Sequence, residues 1–246
     1  VRIRPVLQVF AHLIGASFRV LPKQKRFAVA RRIALTMAPL LKRTPYYERR
    51  PSPLDGPREE AMRMMLRTMT RARVEFVPEV ELRGIELLPA GPFILAGAHF
   101  LLNIAMTRWF HDHGRTYIGS VGGPREPVYY FGTLVPLTFR YSGPQILVQI
   151  RRDLAAGHTS FIAIEAAIRY GDDWVAVDTV VGRRYVSPAA FTFAKRTGTP
   201  MIFVATYLNH EGRVVVTFER PQSDDPAVMT TEYCQFLKRH IGAVER

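Results

Sequence analysis

Two residues in this chain have the type and setting that proton-transfer chemistry needs. His99 closes an apolar run, Phe93 to Ala98, that follows the Gly91-Pro92 turn. Such a run reads as a short buried strand. An apolar, glycine-free segment continues to Trp109 and Phe110 and reads as a helix. Glu165 closes a second apolar run, Thr159 to Ile164. If the two strands are parallel neighbours, both side chains stand at one sheet edge, where open α/β sheets place their chemistry. A carboxylate there can bond one ring nitrogen, fix the tautomer and leave the other nitrogen as a base. From this stretch alone the alternative is a core histidine held by a backbone carbonyl.

The elements that must position these residues alternate along the chain. Glu79 to Leu88, Phe93 to Ala98, Arg115 to Val121, Thr159 to Ile164, Trp174 to Tyr185, Pro200 to Tyr207 and Arg213 to Glu219 read as strands. Helices are expected over Lys23 to Leu41, Arg58 to Arg73, Gln145 to Gly157, 188–197 and Pro226 to Val244. The helix over 188–197 has Ser187-Pro188 as its start signal and Gly198 as its stop. Pro127 to Gly143 is apolar and aromatic and takes no clean assignment. The alternation predicts an α/β fold with a mostly parallel central sheet flanked by helices.

The net charge of +13 is unevenly placed. Residues 1–74 carry seventeen Lys and Arg against four Asp and Glu, and residues 75–246 are balanced. Two units follow: a basic helical N-terminal segment, 1–74, and an α/β body, 75–246. Residues 1–20 and Lys23 to Leu41 have a cationic amphipathic pattern. It suits either core-facing helices with a solvated basic face or a segment seeking an anionic partner. These charges alternate with helical apolar faces and not with stacking aromatics, so nucleic acid is not expected.

Several classes are excluded. The one cysteine, Cys234, rules out an internal disulfide framework and a Cys-based zinc site, and its aromatic neighbours mark a core thiol. His111 and His113 diverge on a helix, so no metal site is expected. There is no P-loop, no Gly-x-Ser-x-Gly elbow and no Gly-x-Gly-x-x-Gly. The 21 uncharged residues between Glu86 and Arg108 are interrupted by Pro89, Gly91, Pro92, His99 and Asn103, which argues against a membrane span.

His99-Phe100 after Ala96-Gly97-Ala98 resembles the histidine motif of the glycerophosphate/lysophospholipid acyltransferase superfamily, His-x4-Asp/Glu. Within it the likeness is to the lipid A late acyltransferase branch, which acylates glycolipids. Phe161 to Glu165, Val181 to Pro188 and Ala194 to Val204 resemble further blocks in family order, over roughly residues 80–220. Ile104 stands where the family has its acid. Either Glu165 orients His99 instead, or the chain is a non-catalytic relative that binds lipid or acyl carrier.

The resemblance implies acyl transfer from an acyl-thioester to a hydroxyl, or less readily an amine, of a lipid or other amphiphilic acceptor. Acyl-CoA or acyl carrier protein would be the co-substrate, with no resident cofactor. His99 and Glu165 would be catalytic, with Arg183, Arg184, Arg125, Arg169 and Asn103 as substrate-binding candidates. It also implies a cytoplasmic protein, peripheral on the inner face of the membrane and held by its anionic surface.

Overall fold

The computed structural model describes residues 13, 15–43, 57–77, 79–99, 102–115, 117–121, 128–130, 133–135, 138–141, 145–179 and 182–241. Most of the first amphipathic segment, the proline-rich connector before residue 57, and Arg125 lie outside the described residues.

The central sheet is assembled around β11, Met201–Leu208, whose eight residues are all buried. A nearly continuous apolar run, interrupted here by Thr206, is what an inner strand with both faces covered requires. On one side β11 pairs in parallel with β2, Ile94–Gly97. Beyond β2 come β7, Thr159–Ala163, then β3, Tyr117–Val121, and β6, Thr138–Tyr141, all parallel. On its other side β11 pairs antiparallel with β12, Val214–Glu219, which in turn pairs in parallel with β1, Val80–Arg83. The order is β1-β12-β11-β2-β7-β3-β6. The fold is therefore α/β with a mixed, mostly parallel sheet, and β1 and β12 run against the rest.

The reversal at β12 has a local cause. The turn Asn209 to Gly212 is too short for a crossover, so the chain must double back. Asn209 Oδ1 accepts from Arg213 N–H at 2.9 Å, and Gly212 has a φ of 74°, in the left-handed region open to glycine.

Two small sheets stand apart from the large one. β4, Val128–Tyr130, and β5, Thr133–Val135, form one of them. β8, Glu165–Ala166, pairs with β10, Gly182–Val186, and β10 with β9, Val175–Thr179, all antiparallel. The expected single strand from Trp174 to Tyr185 is thus a hairpin of two strands, β9 and β10.

Six helices whose bounds lie within the described residues cover the sheets. They are α1, Lys23–Lys42; α2, Pro57–Arg71; α3, Asn103–Asp112; α4, Ile146–Ala155; α5, Ala189–Thr197; and α6, Pro226–His240. α1 buries Phe27, Ala30, Ala34 and Ala38, nearly one face at i, i+3, i+7 and i+11. These pack with Met62, Leu66 and Met69 of α2 and with Leu208 and Val214 of the sheet. α6 is capped by Asp225, which accepts from the N–H groups of Ala227 and Val228, with Pro226 at the first helical position. Among the described residues no helix is long and apolar enough to cross a membrane.

Candidate functional site

β2 and β7 are adjacent and parallel, with Gly97 opposite Ala163, so their carboxyl ends lie side by side. The Ile164 N–H still reaches the Gly97 carbonyl at 3.0 Å, which carries β7 one residue past its last sheet pair. The chain then leaves the large sheet and Glu165 pairs with Val186 of β10. His99 stands two residues beyond the end of β2.

This arrangement brings the two predicted residues together. His99 Nδ1 lies 2.8 Å from Glu165 Oε1, and the same oxygen accepts the His99 backbone N–H at 3.0 Å. The ring and the main chain of one residue therefore grip one carboxylate oxygen, which fixes the imidazole's orientation as well as its distance. An ionised carboxylate only accepts hydrogen bonds, so Nδ1 carries the proton and Nε2 keeps the lone pair. The exposure is lopsided: the His99 side chain is 70% exposed and that of Glu165 only 1%. A buried orienter behind an accessible ring is the geometry a general base needs.

The electrostatics agree with the geometry. The hydrogen bond to Glu165 raises the His99 imidazole above its ordinary value, against the opposing effects of burial and of Arg184. Burial works to raise the Glu165 carboxyl, but the ring and backbone bonds from His99, with Arg184 behind them, bring it below the ordinary range.

Asn103 supports the loop that carries His99. Its Nδ2 donates to the Ala98 carbonyl at 2.8 Å and its Oδ1 accepts from the Thr206 hydroxyl at 2.7 Å. Both ends of the side-chain amide are thereby engaged within the protein. Thr206 was not singled out by the sequence. The signal was there: Thr206 is the one aliphatic hydroxyl in the otherwise apolar and aromatic strand Met201–Leu208, and it must find a partner once buried.

The arginine candidates separate. Arg184 is buried, 4% exposed, and carries its charge toward the pair. Arg183 is exposed and bonds Asp178 at 2.8 Å, its register partner across the β9–β10 hairpin. Arg169 is exposed and donates to the backbone carbonyls of Gly171 and Asp172. Ile104 is the second residue of α3. Cys234 is buried, and burial pushes its thiol up, away from nucleophilic use.

Comparison with protein-family models gave no match, and comparison with curated protein sequences gave no significant match.

Proposed function

We propose that the protein is an acyltransferase that moves an acyl chain from an acyl-thioester to a hydroxyl of a lipid or other amphiphilic acceptor, with His99 as general base. The observation that carries this reading is the exposed His99 ring held at 2.8 Å by the buried Glu165 carboxylate. Nε2 takes the proton of the acceptor hydroxyl as its oxygen attacks the thioester carbonyl. The tetrahedral intermediate then collapses with departure of the thiolate, and the proton on Nε2 returns to it. The imidazolium formed in between is steadied by Glu165. No protein nucleophile is required, which suits a chain whose only cysteine is a buried core thiol. The donor is acyl-CoA or acyl carrier protein.

The membrane is the proposed partner, through α1. Ile33, Met37 and Leu40 are exposed at i, i+4 and i+7, and Lys25, Arg32, Lys42 and Arg43 are exposed along the same helix and its end. Apolar side chains flanked by cations suit an anionic lipid surface. With cytoplasmic thioester donors, this reading has the protein act at the inner face of the membrane.

The test is thiol release from acyl-CoA and from acyl carrier protein over a panel of amphiphilic acceptors. Acceptor-dependent release by the wild type, lost in His99→Ala, is the expected result. Equal release by the two would sink the reading. The apolar residue at Ile104 favours a rival, a non-catalytic lipid- or carrier-binding module, which predicts no release with any donor.

A further inference from the structure

The second oxygen of Glu165 raises a question that His99 does not answer. Oε1 takes both bonds from His99, whereas Oε2 is buried with no hydrogen-bond partner among the described residues. The Tyr233 hydroxyl, on α6, is in the same condition. A buried polar atom left unsatisfied costs about 1–3 kcal/mol, so two in one region call for a common explanation.

The register sets the face on which Glu165 lies, and the core cluster against it contains Tyr233. Val186 is opposite Glu165, and Arg184 and Val177 are opposite one another two residues further along the β9–β10 ladder. Side chains of directly paired residues, and of residues two apart, share a face. That face carries Glu165, Val186, Arg184 and Val177, all of them buried. Val177, Val186 and Ile164 belong to the hydrophobic cluster that contains Tyr233, whose ring packs on Phe203 at 5.1 Å and Phe191 at 6.0 Å. Burial first, and the Glu165 charge second, hold the Tyr233 phenol well above its usual range, so the hydroxyl keeps its proton and is a donor. Among the described residues, the titratable groups interacting with Glu165 are His99 from the loop after β2, Arg184 from β10 and Tyr233 from α6, with Cys234 acting on the last.

We propose that the Tyr233 hydroxyl donates, through one ordered water, to Glu165 Oε2, which makes Tyr233 a positioning residue of the His99–Glu165 pair. The proposal rests on the base-and-orienter reading of that pair. A buried water with about three polar partners is an ordinary structural element. Here it satisfies both orphaned oxygens and tempers the charge that His99 feels.

The test is a titration of His99 by NMR with ring-labelled histidine, the signal being assigned by its loss in His99→Gln. Tyr233→Phe removes the donor and keeps the ring. Glu165 then becomes a stronger acceptor toward Nδ1, and the His99 midpoint rises by about half a pH unit. Placing 3-fluorotyrosine at 233, a stronger donor of nearly the same shape, moves the midpoint down, and it carries the result if Tyr233→Phe does not fold. Midpoints that stay unchanged, with only the melting temperature altered, overturn the proposal and leave Tyr233 a packing residue. No acyl donor is involved. A chain that shifts its midpoint but releases no thiol keeps the relay and loses the enzyme.

Discussion

Thr206, in the middle of β11, donates its hydroxyl to Asn103 Oδ1 at 2.7 Å, and the same amide holds the Ala98 carbonyl at 2.8 Å. One side chain thus ties the central strand to the residue that precedes His99. Thr206→Val leaves the amide oxygen unpaired next to a buried site and is expected to cost about 1–3 kcal/mol in denaturant unfolding. Asn103→Ala should cost a similar amount and lower thiol release by about tenfold or more, because the loop carrying the base is no longer pinned. The double variant should lose less than the sum of the two, which a double-mutant cycle measures. Strict additivity would mean that the bond does not couple the two elements.

His99→Ala should lower acceptor-dependent thiol release by about two to four orders of magnitude, the range of general-base assistance. The ring is largely exposed, so its packing contribution is small. The buried Glu165 loses the ring bond on Oε1 and keeps there the backbone N–H at 3.0 Å, so its carboxyl should titrate higher, with a drop of a few degrees in melting temperature.

The pH–rate curve follows from the sign of the His99 shift. A base must be neutral to act, and the bond to Glu165 holds its imidazole protonated to a pH above the ordinary 6.5. Activity should therefore rise with pH through a midpoint above that value. Glu165→Gln removes the charge and keeps the shape. It should move the midpoint down, because burial and Arg184 then act on His99 unopposed, and should still leave the maximal rate at least about tenfold lower. A midpoint unmoved by Glu165→Gln would show that the carboxylate does not orient the base.

The same pair predicts the pH dependence of stability. A raised His99 stabilises the fold fully below 6.5 and loses that contribution as pH rises through its folded value. A lowered Glu165 stabilises it above 4.5 and loses that contribution as pH falls through its folded value. Melting temperature should show a shoulder between these limits that flattens in Glu165→Gln.

Gly97 is the last residue of β2, and a Cβ there would lie 2.5 Å from the Phe161 ring and 3.2 Å from Val204. Gly97→Ala should destabilise by about 1–3 kcal/mol in denaturant unfolding. Adding Phe161→Leu, which opens space at the clash, should recover part of the loss. A neutral Gly97→Ala would mean that the ring yields freely.

Binding to vesicles containing anionic lipid should drop roughly tenfold or more when Ile33, Met37 and Leu40 are changed together to serine. Lys25→Glu with Arg32→Glu should weaken binding to anionic vesicles much more than to neutral ones, and added salt should mimic it. Co-sedimentation unchanged in both variants would remove α1 from the membrane-docking reading.

Local signals were enough to find the site's two ends. His99 and Glu165 each follow an apolar run bounded by turn or helix signals, and such runs become strands because that buries them at least cost. The stop at Gly198, with a φ of 62°, and the Asp225-Pro226 start of α6 are written in the residues themselves. The 2.8 Å contact itself depended on β2 and β7 being parallel neighbours, a pairing between segments more than sixty residues apart. Trp174 to Tyr185 divides into two antiparallel strands, Val175–Thr179 and Gly182–Val186, and the Val-rich sequence holds no Asn-Gly or Asp-Gly pair to mark the break. Arg183 and Arg184 are alike in sequence, yet one is a solvent ion pair and the other is buried toward Glu165. Which of them turned inward was decided by the pairing of Val186 with Glu165, because strand side chains alternate and a one-residue slip would have exchanged the two.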